Sequence, residues 1–256
     1  MAEVGHQMEL GKINAGDEVS ALGFKAGIAA YRGRMHEARD LGTKMREAAA
    51  RLSLTEVAAG EYQQAAAFEA LFGEKDRALV DVAQALKMSN SPGVALGCAA
   101  VLAYVGDESH ASKLADDISH KRPFDTYVQF VAVPDIKAEI ALRHGDAAQA
   151  GNLLDGAMVY GRVDSLTLYL RGLAYLKAGQ TGDAVQAFQR PLGLKGYLVL
   201  DPLLPMDQLG LARAYALQGD NVHSRLAYQD LLANWKDADP DLPLVSEVKA
   251  EYAKVQ

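Results

Sequence analysis

The residue types that do chemistry are present in this chain, but few stand at a spacing that chemistry could use. Six histidines, His6, His36, His110, His120, His144 and His223, are scattered over 256 residues. No two form an i, i+4 pair around a glutamate, as a zinc hydrolase helix requires. Most fall in polar turns or on helix faces, where a solvated imidazole is expected. The single cysteine, Cys98, excludes an intrachain disulfide framework and a multi-thiolate metal site. Its surroundings, "ALGCAAVLAY", predict a buried, inert thiol. No G-x-S-x-G elbow occurs, and carboxylates such as Glu61, Glu69, Asp116 and Asp117 read as ordinary helix-surface charges. The sharpest candidate is "WKDADPDLP", residues 235–243, with the only tryptophan and aspartates at 237, 239 and 241. A calcium loop opening in this way needs glycine at its sixth position and glutamate at its twelfth. Leu242 and Val248 stand there instead, and Pro240 stiffens the middle. No catalytic residue, cofactor or metal is expected. Asp241 is placed instead to cap a following helix with Pro243 in its first turn, and Trp235 to cover the seam between that helix and the one before it.

Charge and hydropathy narrow the class further. The formal net charge is −7, and residues 201–256 carry nine acidic against five basic side chains. A nucleic-acid partner would require a basic footprint, so none is expected. The apolar runs stop short of a membrane span, and "MAEVGHQMEL" has neither a basic start nor an apolar stretch. The chain as written is therefore expected to be soluble, with no membrane contact of its own.

The elements that would position any site follow from the glycines. Gly33, Gly73, Gly106, Gly145, Gly179 and Gly219 are spaced by 40, 33, 39, 34 and 40 residues. Five residues after them come Ala38, Ala78, Ala111, Ala150, Ala184 and Ser224; seven before them lie Ala26, Ala66, Ala99, Ala138, Gly172 and Ala212. Three small-residue positions recurring six times in one register define an internal repeat. A glycine of positive φ stops a helix and turns the chain. Glu74, Asp107, Asp146 and Asp220 directly follow such glycines and favour the start of the next helix. The small residues at −7 and +5 then face one another where two helices approach closely. The fold predicted is an all-α, right-handed solenoid of tetratricopeptide-type helical hairpins with a C-terminal capping helix. Residues 1–16 read as a partial helix of a preceding unit, 17–234 as six helix–turn–helix units, and 235–256 as the capping segment. The cap presents Leu244, Val245, Val248, Tyr252 and Val255 on one side. Pro134 either starts the first helix of the fourth unit or kinks a longer one through "DTYVQFVAV". "RPLGLKGYLVLDPLLP" reads as a long connection whose "YLVL" packs onto a neighbouring helix.

In such arrays the first helix of each unit lines the concave face. Positions ten, six and three before each glycine then give the lining. It is small and apolar in the first half and larger and mixed in charge in the second. Gln63, Leu96, Asp135, Glu139, Tyr169, Leu173 and Arg213 are the partner-contacting residues this register selects, for a protein or peptide ligand. Tyr169 and Arg213 are of the types that anchor interfaces. The asparagines of a carboxylate clamp would stand six before the glycines; Gly27, Ala67, Ala100, Glu139, Leu173 and Arg213 are found there.

The stretch "LGLARAYALQGDNVHSRLAYQDLLANWKDADPDLPLVSEVKAEYAKVQ" resembles the C-terminal end of the tetratricopeptide arrays in bacterial eukaryotic-type serine/threonine protein kinases, especially acidobacterial ones. Similar arrays end some bacterial winged-helix regulators. "FDTYVQFVAVPDIKAEIAL" and "RGLAYLKAGQTGDAVQAFQ" follow the same spacing, and the likeness is sharp from about residue 163 onward. The resemblance implies a non-catalytic interaction or sensing module, the regulatory end of a membrane-anchored kinase, cytoplasmic or extracytoplasmic. Two alternatives stay open: the effector arm of a transcription regulator, and a receptor for a peptide or small ligand acting through the groove. A Gly-rich phosphate loop, a "VAIK"-like lysine, "HRD" and "DFG" are all absent, so the chain is not itself the kinase lobe.

Overall fold

The computed structural model describes residues 15–194 and 201–255, and these are helical almost throughout. Thirteen α-helices occur among the described residues: α1 Ala15–Tyr31, α2 Met35–Arg51, α3 Thr55–Leu71, α4 Lys75–Met88, α5 Pro92–Val105, α6 Glu108–Lys121, α7 Val133–Arg143, α8 Ala147–Ala157, α9 Ser165–Lys177, α10 Thr181–Gly193, α11 Leu204–Gln218, α12 Asn221–Asn234 and α13 Pro243–Tyr252. The first twelve form six antiparallel hairpins, and the first helix of each hairpin packs on the first helix of the next.

Each of the six indexed glycines turns its hairpin with φ between 71° and 89°, the left-handed region that a side chain disfavours. The small residues of the register are all buried between helices. Gly172 shows why size matters: a Cβ there would lie 2.3 Å from the Phe188 ring, and one at Gly210 would lie 2.5 Å from it. Phe188, fully buried on α10, thus fills the space that two glycines on α9 and α11 leave open. Of the acids after the turn glycines, Asp107, Asp146 and Asp220 accept the capping hydrogen bond from a backbone N–H three residues on. Glu74 does not cap; it pairs with Arg39.

Pro134 takes the second of its two expected roles. The chain is already helical at Thr126, and a π-helical turn over Val128–Ala132 leads into α7. The wider turn accommodates a proline that has no N–H to donate and whose ring crowds the carbonyl four residues back. The 190–205 connection is only partly a loop, since α10 continues through Pro191 to Gly193. "YLVL" and the partial helix before residue 15 lie outside the described residues.

Two expectations are corrected. Glu61 and Glu69 are buried, at 7% and 3% exposure, rather than surface charges. The second helix of the first hairpin supplies their counter-charges: Arg39 Nε lies 3.1 Å from Glu69 and Arg46 Nη1 lies 3.5 Å from Glu61. Burial nevertheless pushes the Glu61 carboxyl up to about 7. Asp241 does not cap α13. Leu242 holds the N-cap position without a side-chain bond, and Asp241 lies 3.2 Å from His36 Nε2.

That contact belongs to a larger arrangement in which the end of the array meets its beginning. Trp235 Nε1 and Asn234 Nδ2 both donate to the Tyr31 carbonyl at 3.2 Å. The Asp239 N–H donates to the Gly33 carbonyl at 2.9 Å, and the His36 N–H donates to Asp239 Oδ2 at 2.8 Å. The Leu244 N–H donates to the Phe72 carbonyl, and the rings of Phe72 and Trp235 lie 5.2 Å apart. One core cluster accordingly joins Met35, Phe68 and Phe72 to Trp235, Leu242 and Val245. Trp235 covers the seam to the first two hairpins, through Tyr31 and Phe72, rather than only the seam to α13. Pro243 occupies the first turn of α13, and Val245 and Val248 are buried.

Candidate functional site

The first helices of the hairpins converge on an inner face, and along it lie two adjoining cavities. The inner one, about 210 Å³, runs from α3 to the segment before α11 and is lined by Gln63, Ala100, Tyr104, Asp135, Glu139 and Tyr169, among others. The outer one, about 330 Å³, includes Leu96, Asp125, Tyr127 and Asp135. Both are bounded by Gly97, Ala100, Asp135, Ile136 and Leu166, so they form one groove with Asp135 at the junction.

Of the residues chosen from the register, Gln63, Asp135, Glu139 and Tyr169 meet in the inner cavity, and Leu96 lines the outer one. Leu173 packs half-buried against the main core. Arg213 is engaged elsewhere: its guanidinium contacts Glu251 at 2.8 and 3.0 Å and Glu247 at 2.6 Å, both on α13. Tyr169 is only 8% exposed, with its ring 6.2 Å from Phe188. Neither expected anchor is therefore a free side chain: the capping helix α13 engages Arg213, and Phe188 of α10 packs on Tyr169. Arg213→Ala is expected to loosen α13, at a cost on the order of 1–2 kcal/mol for charge-assisted hydrogen bonds that are partly exposed. Hydrogen exchange in residues 243–252 should accelerate; unchanged exchange there would show that the ion pairs do not hold the helix.

The register also passed over lining residues. Gly97 and Ile136 stand nine before their glycines, and Leu71 and Tyr104 two before theirs. These are the flanks of the same helix stripe, which is wider than three positions per unit. Gly97 has a definite role: a Cβ there would lie 2.5 Å from Gln63 Cδ, so the missing side chain is what lets Gln63 lie across α5.

The electrostatics of the groove are set by burial. Asp135 is 1% exposed. Its Oδ2 accepts the Thr167 hydroxyl at 2.6 Å, and its Oδ1 has no hydrogen-bond partner. Burial pushes this carboxyl up to about 8, with Asp164 adding repulsion and the Thr167 bond opposing. Burial likewise raises Glu139 to about 7 against the attraction of Arg143 and Lys177. Behind the groove, Asp207 on α11 is wholly buried with neither oxygen bonded, and burial raises it to about 9. The Tyr169 phenol is held well above its ordinary value, first by burial. At the outer rim the Tyr127 hydroxyl donates to Asp164 at 3.0 Å.

Other chemistry finds no footing among the described residues. The five described histidines are exposed. Cys98 is buried, and burial pushes its thiol up to about 12, far from a reactive thiolate. No group of three or more His, Cys, Asp or Glu side chains is arranged to hold a metal ion. No described helix is long and apolar enough to cross a membrane.

No protein-family model matches the chain, and neither does any curated protein. Among solved structures, the chain is similar to one in the APC/C hetero-tetramer Cut9–Hcn1, with a TM-score of 0.52 and 15% identity over 98% of this chain and 45% of that one. It also aligns with MamA from Desulfovibrio magneticus RS-1, at 0.43 and 20% identity over 71% of this chain and 97% of that one. A tetratricopeptide repeat protein from Parabacteroides merdae aligns at 0.43 and 12% identity, over 93% of this chain and 90% of that one. At these identities the likeness is one of fold, in keeping with the glycine-turned hairpins: the chain is an all-α tetratricopeptide-type array.

Proposed function

We propose that this array is a non-catalytic interaction module that takes an extended segment of a partner protein into its inner groove. The observation that carries the reading is the pair of cavities meeting at Asp135, which together form an apolar trough with a few polar groups at its floor. Such a shape suits alternate side chains of an extended peptide. Arrays of this fold generally serve as protein-interaction scaffolds, and Cut9, with which the fold is shared, forms a hetero-tetramer with Hcn1. Ala100 borders both cavities and is half-buried at the edge of the core, so Ala100→Trp should fill the groove, and a thermal melt like the parent's shows that the fold is kept. Titrated by fluorescence anisotropy with a dye-labelled mixture of random octapeptides, the parent chain is expected to saturate, and the variant to bind about tenfold more weakly. Equal binding by the two proteins would remove the peptide from the groove.

The finer reading is that the array is the regulatory repeat region of a bacterial serine/threonine protein kinase. It rests on the likeness of residues from about 163 to the C-terminus to those arrays. An effector arm of a transcription regulator is the alternative that shares the same likeness. The mass and fractionation of the native protein separate them. A membrane-associated product well above 27.4 kDa that transfers phosphate supports the kinase, and a DNA-binding product supports the regulator.

A further inference from the structure

Asp135 stands where the two cavities meet, and among the described residues it is the groove acid on which no cation acts. Its Oδ1 is orphaned and its carboxyl almost wholly buried. The charge that acts on it is another acid, Asp164. Glu139, one helical turn along, has Arg143 and Lys177 to offset it. Asp125 lines the same outer cavity and adds negative charge, although its Oδ1 already accepts the Val128 N–H at 3.1 Å. A buried polar atom without a partner is unfavourable in either protonation state, so an occupant that supplies a hydrogen-bond donor together with positive charge gains most here.

From this geometry we infer that the junction receives the side chain of a lysine from the partner segment, its ammonium at Asp135 Oδ1 and its aliphatic stem along Ala100, Ile136 and Leu166. This deepens the peptide-groove reading and rests on it. An ammonium offsets the burial and the Asp164 repulsion that keep this carboxyl protonated. A cationic occupant therefore gains by drawing the proton off, and an anionic one would add to the repulsion. Lysine is favoured over arginine because its charge is compact and its stem apolar and flexible, whereas a guanidinium needs several acceptors in one plane. One carboxylate oxygen is buried without a bonded partner, and the other is held by Thr167. The approach leads past Tyr127, at the start of the π turn. Tyrosine is among the residue types that anchor interfaces, and π turns recur at functional sites.

The test uses the whole chain and dye-labelled octapeptide mixtures, random except for a fixed central lysine, acetyl-lysine, norleucine, arginine or glutamate. At neutral pH the lysine mixture is expected to bind about tenfold more tightly than the norleucine mixture, the scale of one charge-assisted hydrogen bond. Acetyl-lysine, which keeps the stem and loses the charge, should bind like norleucine. Asp135→Asn keeps the shape and the acceptor for Thr167, and should reduce the lysine-to-norleucine ratio to about one. Equal binding of lysine and norleucine, tighter binding of arginine than of lysine, or a lysine preference that survives in Asp135→Asn would overturn the inference. The acetyl-lysine comparison needs no variant, so it decides the matter even if Asp135→Asn folds poorly. Saturation by all mixtures alike overturns the lysine inference and leaves the peptide groove standing; saturation by none overturns both.

Discussion

Trp235→Ala is expected to destabilise the chain by about 3–5 kcal/mol, the range for deleting a large aromatic side chain from a packed core. Trp235 is 2% exposed, packs on Phe72 and donates to the Tyr31 carbonyl, so the loss falls on the contact between the two ends of the array. Repeat arrays are held together by neighbour contacts, and this closing contact adds one between hairpins far apart in sequence. Without it, the single cooperative urea transition expected of the parent should broaden or split, with the first two hairpins unfolding at lower denaturant. Gly33→Ala offers a second approach from the other side. Gly33 has φ 71°, and a Cβ there would lie 2.7 Å from the Ala238 Cβ. Since Trp235 is the only tryptophan, its emission should shift to the red on a substitution 202 positions away in sequence. Unchanged emission from a folded Gly33→Ala chain would mean that the ends do not meet in solution.

Asp207→Asn is expected to raise stability by about 1–2 kcal/mol at pH 5 and by several kcal/mol at pH 9. Asp207 is wholly buried with no hydrogen-bond partner, and burial, with Asp201 nearby, lifts its carboxyl from 3.8 to about 9. The folded chain therefore keeps a proton that the unfolded chain has already released above about pH 4. The contribution to stability is complete below that pH. It declines at about 1.4 kcal/mol per pH unit and is lost as the pH rises through about 9. Asp135, raised to about 8, and Glu139 and Glu61, raised to about 7, act in the same direction. The parent should thus unfold at lower urea at pH 9 than at pH 5, and the Asn variant should show a smaller decline. The same slope in both proteins would place the pH dependence elsewhere.

How much of the site was legible in the sequence depends on the range of the interactions that make it. Turn glycines act locally: a helix that must reverse within three residues needs positive φ, and Gly33, Gly73, Gly106, Gly145, Gly179 and Gly219 all adopt it. Helix periodicity then carries from each glycine back to the inner stripe, which is how Gln63, Asp135, Glu139 and Tyr169 come to share one cavity. Gly97 beneath Gln63 was illegible, because its role depends on a side chain from the neighbouring hairpin. Glu61 and Glu69 looked like surface charges for the same reason, since the arginines that face them belong to another helix.

Composition, glycine spacing and small-residue register by themselves determined an all-α array of six hairpins with a helix after the last. Each of those features is a requirement on one backbone turn or one pair of adjacent helices. Tertiary structure alone decided that the array closes on its own first two hairpins. "WKDADPDLP" became the clasp, with Asp239 bonded to the first turn and Trp235 seated on Phe72. It also decided that Arg213 pairs with Glu247 and Glu251 of α13 and that Asp135 lies buried with one oxygen unanswered. A small rotation between successive hairpins, summed over six of them, sets whether the ends meet. No local pattern records that sum.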